Sequence, residues 1–161
     1  MSQSDMFLRV EGSKQGLIKG ESSDTAHLGE IDLVAWSWGM DGSAGAFAQA
    51  TARTTLQELI VFKRVDSATT ALMSALRNNE VIKKAVLVVR KAGGAAPVEY
   101  FRMTMEKARI TAHRVHSMEG SPELREELRL AFWKVQVEYR PQDAGGGGRA
   151  THTFDAEVTP Q

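Results

Sequence analysis

Side chains that can act as metal ligands occur close together twice in the sequence. Asp24, His27 and Glu30 form the first group, and His113 and His116 form the second. The spacing of neither group matches an established zinc pattern. His113 and His116 stand in a strand pattern, where side chains three residues apart point to opposite faces. We therefore expect no metal site, and a structural role for the first group.

The serines and glycines lack the surroundings that catalysis or phosphate binding requires. Ser37 and Ser121 stand outside any nucleophile-elbow pattern. The glycine run at 145–148 precedes Arg149, but it lacks the Gly-Lys-Ser/Thr ending of a phosphate loop and a following helix pattern. The chain has no cysteine, which excludes disulfides, thiolate metal sites and cysteine nucleophiles. The sequence therefore predicts no catalytic residue, no cofactor and no metal, and the chain is not expected to be an enzyme.

Trp36 and Trp38 lie two residues apart in a strand pattern and therefore share one face. A pair of this kind can stack on a sugar ring, which would make the chain a carbohydrate-binding module. Large aromatic side chains also dominate protein cores and subunit contacts. We favour the second interpretation and leave the first open.

Composition narrows the class of protein further. The 161 residues suit a single domain spanning 1–161, and the 20 basic residues balance the 20 acidic residues. A nucleic-acid partner is not expected, because phosphate binding needs an excess of cations. Membrane insertion is not expected either, since no apolar run approaches the ~20 residues of a span. The first residues lack the basic and apolar regions of a signal peptide, so synthesis in the cytoplasm is expected.

The elements that must position these residues are mostly strands. Short segments with a period of two, rich in β-branched and aromatic residues, indicate strands at 6–11, 30–38, 59–65, 85–91, 99–116, 128–139 and 149–158. Asp66 and Ser67 are the expected N-cap of one amphipathic helix at 68–79. The sequence predicts a mainly-β fold, a tight β-barrel or two-sheet sandwich with one short α-helix.

Several strands carry more detailed expectations. Phe7 falls on the polar face of the first strand, and 12–24 is expected to be a loop. The strand at 30–38 is apolar on both faces. A phase slip near 106–107 predicts a β-bulge, and a long strand at 99–116 or a strand pair both fit the pattern.

Two strands near the end of the chain carry further expectations. The strand at 128–139 repeats the phase slip between Phe132 and Val135. In the last strand, alternation places Phe154, Ala156 and Val158 inward.

Two segments resemble signatures of the haemolysin-coregulated protein (Hcp) family, the tube proteins of the type VI secretion system. The first, 20–39, runs from Gly-Glu-Ser through an Asp, a His and Glu-Ile to Trp-Ser-Trp-Gly. The second, 121–142, has Ser-Pro-x-Leu before a strand containing Phe-x-Lys-Val and a distal Tyr. The small-residue loop after Trp38 and the long glycine run depart from the family pattern. The residues of the first signature with an expected structural role are Glu21, Ser22, Asp24, His27 and Glu30.

The resemblance implies a barrel with its helix outside and an architecture similar to phage tail tubes. It implies six copies in a ring and rings stacked into a tube. A contracting sheath would propel this tube together with its spike and with effectors in the lumen, and the chain would be secreted without a signal peptide. A secreted monomeric carbohydrate-binding or effector protein is the alternative.

The long connection at 39–54 is the expected contact between copies. Phe47 stands among alanines with few charges, which makes a poor surface for a soluble monomer. We expect this connection to pack on a neighbouring subunit or on the next ring, and a hairpin tip that touches nothing is the alternative. The residues expected at this contact are Trp36, Trp38, Met40, Phe47 and Gln49.

Overall fold

The protein's structure, a computed structural model, describes residues 5–42, 54–91, 98–141 and 150–158. Phe47, Gln49 and the glycine run at 145–148 lie outside the described residues. The described ranges contain these elements: β1 (Met6–Gly12), β2 (Gly16–Ile18), β3 (Ile31–Ser37), β4 (Met40–Gly42), β5 (Thr54–Leu56), β6 (Leu59–Arg64), α1 (Thr69–Arg77), β7 (Ile82–Arg90), β8 (Glu99–Ser117), β9 (Leu124–Tyr139) and β10 (His152–Glu157). None of the described helical residues forms a segment long and apolar enough to cross a membrane.

Six antiparallel strands close into a barrel in the order β9–β6–β3–β1–β7–β8 and back to β9. The mainly-β prediction with one helix is confirmed, and of the two predicted architectures the closed barrel is present. The core inside the barrel is built from the alternating inward side chains, among them Leu8, Ile31, Leu59, Leu87, Met103 and Leu130. Closure leaves none of the six strands as a free edge along its whole length.

β8 is one long strand, not a strand pair, and it forms an extended hairpin with β9 from Phe101↔Tyr139 to Ser117↔Leu124. The other edge of β9 is shared. Its first part pairs with β6, and its second part pairs with β10. β10 therefore lies outside the closed barrel, beside it.

The predicted phase slip in β8 is present at Lys107, which has a left-handed backbone with φ of 50°. The left-handed backbone at this residue allows Met105 and Ala108 both to face the core. The register shift between β8 and β9 lies further along, between Ile110 and Ala112, and not at the predicted bulge position. The matching slip in β9 puts Phe132 and Val135 on the same side. The two strands therefore change phase together and keep their pairing through this point.

The prediction that β3 is apolar on both faces is wrong, because its register shifts between Leu33 and Ala35. The shift changes the phase, so Trp36 and Trp38 pack on the same core cluster as Leu33. Val34 is left exposed. A sequence pattern that assumes strict alternation cannot show this change.

Of the three residues predicted to face inward from the last strand, Ala156 packs against the core cluster, but Phe154 and Val158 are not buried. Phe154 does share a face with core residues, because its register partner Val137 points toward the core cluster. Both Phe154 and Val158 are nevertheless 41% exposed. β10 lies beyond the point where the barrel closes, so the described part of the chain covers this face at Ala156 but leaves Phe154 and Val158 partly exposed.

Two connections contain more regular structure than predicted. The expected loop at 12–24 includes β2, which extends β1 in an antiparallel hairpin. The connection at 39–54 begins and ends with β4 and β5, which pair as a two-stranded ribbon. This ribbon follows directly from β3 and leads directly into β6, so it extends their antiparallel pair.

The helix begins one position later than predicted, with Ala68 as its N-cap. Asp66 still orders the turn before it, because its Oδ1 accepts the Ala68 N–H at 2.9 Å. Lys63 is fully buried below this turn, and its Nζ donates to Asp66 Oδ1 and to Glu126 Oε1, each at 2.8 Å. The predicted end of the helix at 78–79 is confirmed by Asn79, which adopts a φ of 52°.

Candidate functional site

The connection between β2 and β3, residues 19–30, folds over the outer side of β1, and we call it the clasp loop. Three backbone hydrogen bonds close it. Gly20 N–H donates to the Gly29 carbonyl at 2.8 Å, and the Ser22 N–H to Glu30 carbonyl and Gly29 N–H to Ser22 carbonyl bonds are each 3.0 Å. Ser22 Oγ accepts the Asp24 N–H at 3.3 Å. These local bonds give the loop a defined shape and place the side chains that follow.

His27 turns inward from the clasp loop and is nearly fully buried. Its ring stacks on Phe7, with 4.3 Å between ring centroids and 10° between the planes. Its Nδ1 lies 3.0 Å from Glu30 Oε2, and its Nε2 lies 2.6 Å from Glu99 Oε1. Phe7 does lie on the face of β1 that carries Arg9, as predicted, but it is buried there because the clasp loop covers that end of the polar face.

Arg90, the last residue of β7, is the second partner of the clasp loop. Its Nη2 donates to Asp24 Oδ2, and its guanidinium carbon lies 4.9 Å from the centroid of the Phe7 ring. The hydrogen bond from Arg90 lowers the pKa of Asp24 below its ordinary 3.8, although burial opposes this shift. The same bond raises the pKa of Arg90.

The remaining residue of the predicted motif, Glu21, points away from His27. Its Oε2 accepts the Ser67 N–H at 2.8 Å and ties the clasp loop to the segment before α1. The structure thus brings Ser22, Asp24, His27 and Glu30 together and directs Glu21 to a separate contact. All of these contacts are hydrogen bonds and ion pairs within the chain, and they hold the clasp loop in place.

Sequence reasoning missed three members of this site, namely Phe7, Arg90 and Glu99. Arg90 lies 66 residues from Asp24, and Glu99 lies 72 residues from His27. The one available signal was Arg90 itself, a charged residue at the end of an apolar run. Nothing local marks Glu99.

The two tryptophans pack on aromatic partners within the barrel. Trp36 stacks on Phe101 at 5.2 Å between ring centroids, and Trp38 lies tilted on Phe132 at 6.2 Å. Trp38 Nε1 also donates to the Gln57 carbonyl at 2.8 Å. Both rings are half-buried, so they do not form the open flat platform that sugar stacking requires.

Met40 lies on the β4–β5 ribbon, where its side chain is exposed. Below it, the Gln57 N–H donates to the Gly39 carbonyl at 2.9 Å. Gln57 Nε2 donates to Asp41 Oδ2 at 2.5 Å. These bonds brace the base of the ribbon and hold Met40 in place. The other residues predicted for this contact, Phe47 and Gln49, lie outside the described residues.

The second histidine pair is divided between two environments. His113 is buried, with its Nε2 2.9 Å from Glu126 Oε2, whereas His116 is exposed. Within the described ranges, His, Asp and Glu side chains form no group of three or more that could hold a metal ion. His113 instead extends the ionic cluster around Lys63 toward α1.

Residues 7–139 match the family model for the Hcp type VI secretion system effector. The chain belongs to the Hcp family of type VI secretion proteins. Protein hcp1 of Pseudomonas aeruginosa is 36% identical to it over 145 residues, which cover 88% of this chain and 86% of that protein.

Solved structures of Hcp proteins and type VI effectors share its fold. A type VI secretion system effector from Yersinia pestis is 26% identical, with a TM-score of 0.75 over 96% of this chain and 100% of that chain. Hcp2 from Salmonella typhimurium is 27% identical, with a TM-score of 0.71 over 96% of this chain and 95% of that chain.

The family match spans this Hcp chain from β1 to the end of β9 and includes the clasp loop and both tryptophans. β10 lies after the matched residues. The clasp therefore belongs to the part of the chain that defines the family, whereas the exposed face of β10 lies outside it.

Gly20 allows the clasp loop to approach β3 closely, and this generates a prediction. A Cβ on Gly20 would lie 2.7 Å from the Glu30 carbonyl oxygen and 2.8 Å from Ile31 Cα. Because both are backbone atoms, Gly20→Ala is expected to lower the free energy of unfolding by about 1–3 kcal/mol. Chemical denaturation measures this. Gly39→Ala is the matched control, since its Cβ would meet only the Gln57 side chain at 3.5 Å. Equal stability of the two variants would contradict the close approach.

The Asp24–Arg90 contact generates a prediction about acid stability. The folded pKa of Asp24 is lowered, so its contribution to stability is present above the unfolded pKa and is lost as the pH falls through the folded pKa. Wild type is therefore expected to exceed Asp24→Asn in stability near neutral pH, and this difference should shrink below about pH 4. Urea denaturation at a series of pH values tests it, with Asp155→Asn on exposed β10 as control. A difference that does not change with pH would rule out the linkage.

Proposed function

We propose that this Hcp-family chain is a structural tube subunit of the type VI secretion system, without catalytic activity. Six copies form a ring, rings stack into a tube, and the tube is propelled and secreted with effectors in its lumen. Family membership supports the type VI role. The observation that carries the assembly is the apolar face of β10, which the described residues leave partly exposed at Phe154 and Val158.

That face continues the barrel core beyond the barrel wall. Register partners across five neighbouring strands form one row of side chains on the core side of the sheet: Leu8, Leu87, Met103, Val137 and Phe154. The first three are fully buried, and Phe154 at the end of the row is 41% exposed. An apolar row that leaves the core in this way is a surface for a partner.

The neighbourhood of Phe154 adds area and hydrogen-bonding groups. Tyr139 and Val158 are 48% and 41% exposed. β10 pairs only with β9 among the described strands, so its outer edge offers unpaired backbone groups. A second copy of the chain would bury the apolar face, and because Phe154 is only 41% exposed, its contribution is about 1 kcal/mol, a fraction of the value for a fully exposed side chain. Repetition of this contact around a closed ring multiplies that contribution.

The β4–β5 ribbon is the second proposed contact, on a neighbouring subunit or on the next ring. Met40 is 46% exposed on this braced ribbon. Phe47 and Gln49 are included on the basis of sequence, because they belong to the same small-residue connection. The exposed edges of Trp36 and Trp38 lie at the foot of the ribbon and complete the proposed contact.

The proposed partners are other copies of the chain and the sheath, spike and effector proteins of the type VI system. Nucleic acid and membrane insertion are not part of the proposal. Secretion is proposed to follow the type VI route without a signal peptide. The alternative of a monomeric carbohydrate-binding protein loses its main support, because Trp36 and Trp38 pack on Phe101 and Phe132.

Phe154→Asp tests the proposed ring. Wild type is expected to have a mass about six times the 17.7 kDa of one chain by size exclusion with light scattering. A buried carboxylate at position 154 should reduce this to the monomer, with an unchanged circular dichroism spectrum. Thr153→Asp, on the opposite face of the same strand, should leave the ring intact. Monomeric wild type at micromolar concentration, or an intact ring in Phe154→Asp, would refute the proposal.

Met40→Asp tests the ribbon separately. Loss of the methionine contact and burial of a charge are expected to weaken association at least about tenfold, measured by light scattering on dilution. Met73→Asp is the matched control, because Met73 on α1 is the same residue type with 47% exposure. If both variants assemble as wild type does, within rings and between them, the ribbon is not an interface.

A further inference from the structure

The clasp loop holds both sides of one hairpin stem. Arg90 and Glu99 are register partners at the end of the β7–β8 pair where the chain passes from β7 into β8. Asp24 binds Arg90 on one strand, and His27 binds Glu99 on the other. Beyond them, the Lys91 N–H donates to the Val98 carbonyl at 3.1 Å. The clasp loop therefore connects to the stem at two points.

The contact through His27 is chemically restrictive. Both ring nitrogens face carboxylate oxygens, from Glu30 at 3.0 Å and from Glu99 at 2.6 Å. A neutral imidazole donates from only one nitrogen and presents a lone pair at the other. An ionised carboxylate only accepts, so the neutral ring would leave one lone pair against an acceptor in a buried position. The imidazolium donates to both.

We propose that His27 is held as an imidazolium in the folded protein, and that its charge closes the clasp loop onto the β7–β8 stem. Loss of one ring proton then opens the clasp at one of its two carboxylates. This opening is a conformational change within a single chain, so it does not depend on ring assembly.

The surroundings support the charged ring. The Phe7 ring, stacked on His27, presents a π-face that favours a cation. Within the loop Asp24 and Glu30 are acidic, and β8 contributes Glu99. The opposing cations are Arg90 at the stem and, around the cavity next to His27, Arg9 of β1, Lys84 of β7 and Arg102 of β8. None of these four forms an ion pair with Glu30 or Glu99, so the two carboxylates in direct contact with His27 remain its own partners.

Glu99 connects the buried His27 ring to solvent. Its side chain is 38% exposed, whereas that of His27 is 6% exposed. A proton that leaves Nε2 therefore passes through the Glu99 side of the contact. The bond to Glu99 is also the one that joins the loop to the stem, because Glu30 belongs to the loop itself.

Nuclear magnetic resonance of ¹⁵N-labelled protein tests the protonation state directly. At about pH 7.5, where a free histidine is mostly neutral, both ring nitrogens of His27 are expected to show imidazolium shifts. His116 and His152 are internal references, because both are exposed and neither has a carboxylate partner among the described residues. One protonated and one unprotonated nitrogen at His27 would overturn the proposal.

Glu99→Gln tests the mechanical consequence. This variant keeps the shape of the side chain and removes its charge, so His27 is expected to lose one ring proton at the same pH. Exchange of the Lys91 amide should become about tenfold faster, as expected for the loss of one charge-assisted hydrogen bond that supports the stem. Glu138→Gln, at a position facing Arg102 on the same sheet, is the control and should change neither signal.

Two outcomes of the Glu99→Gln experiment would count against the proposal. If His27 keeps both protons, Glu99 does not hold the charge. If His27 becomes neutral while Lys91 exchange is unchanged, the charge does not close the stem.

Discussion

The divided edge of β9 is the constraint on which the rest of the structure depends. One edge of this strand pairs with β8 along its length, and the other is shared between β6 and β10. A strand edge offers one set of backbone hydrogen bonds at each position, so β6 and β10 exclude each other there. Pairing with β6 closes the barrel. Pairing with β10 carries the same sheet past the closure and leaves its core-side face open.

The phase change at Lys107 makes this division compatible with a continuous core. Without it, the two ends of the long β8–β9 hairpin would present opposite faces to the interior. The left-handed residue in β8 and the matching slip in β9 keep apolar side chains inward on both sides of the bend. The same hairpin therefore forms part of the closed barrel at one end and pairs with β10 at the other.

Charged groups attach the start of α1 and the clasp loop to the barrel. Apolar packing alone would leave the positions of both loosely defined. Lys63 and Glu126 are fully buried, and their contacts with Asp66 and Thr69 join the barrel to the start of α1. The clasp loop is attached through His27 and Asp24 in the same way. Buried ionic groups contribute little net stability but tolerate few alternative arrangements. The cluster around Lys63 lies on the core side of the sheet, because Lys63 is in phase with Val61 and Glu126 with Leu128. The clasp loop is attached on the opposite face, over Phe7 of β1.

The sequence alone determined the kind of structure and much of its local detail. Strand periodicity, the single helix with its end at Asn79, and the phase slip at 106–107 all follow from interactions between near neighbours. The two family signatures are also local runs of residues. They were sufficient to indicate the Hcp family before any fold was known, and the five residues of the first signature lie in the clasp loop.

Only the tertiary structure decided what each face and each charged group meets. A period of two assigns a side chain to a face, but it does not say whether another element covers that face. Phe7 is covered by the clasp loop, and Phe154 is not covered by the described chain. His27 meets Glu99 across 72 residues, and one shifted pairing in β3 turns Trp36 toward the core. Such outcomes depend on register and closure, which arise between distant segments and leave no local pattern.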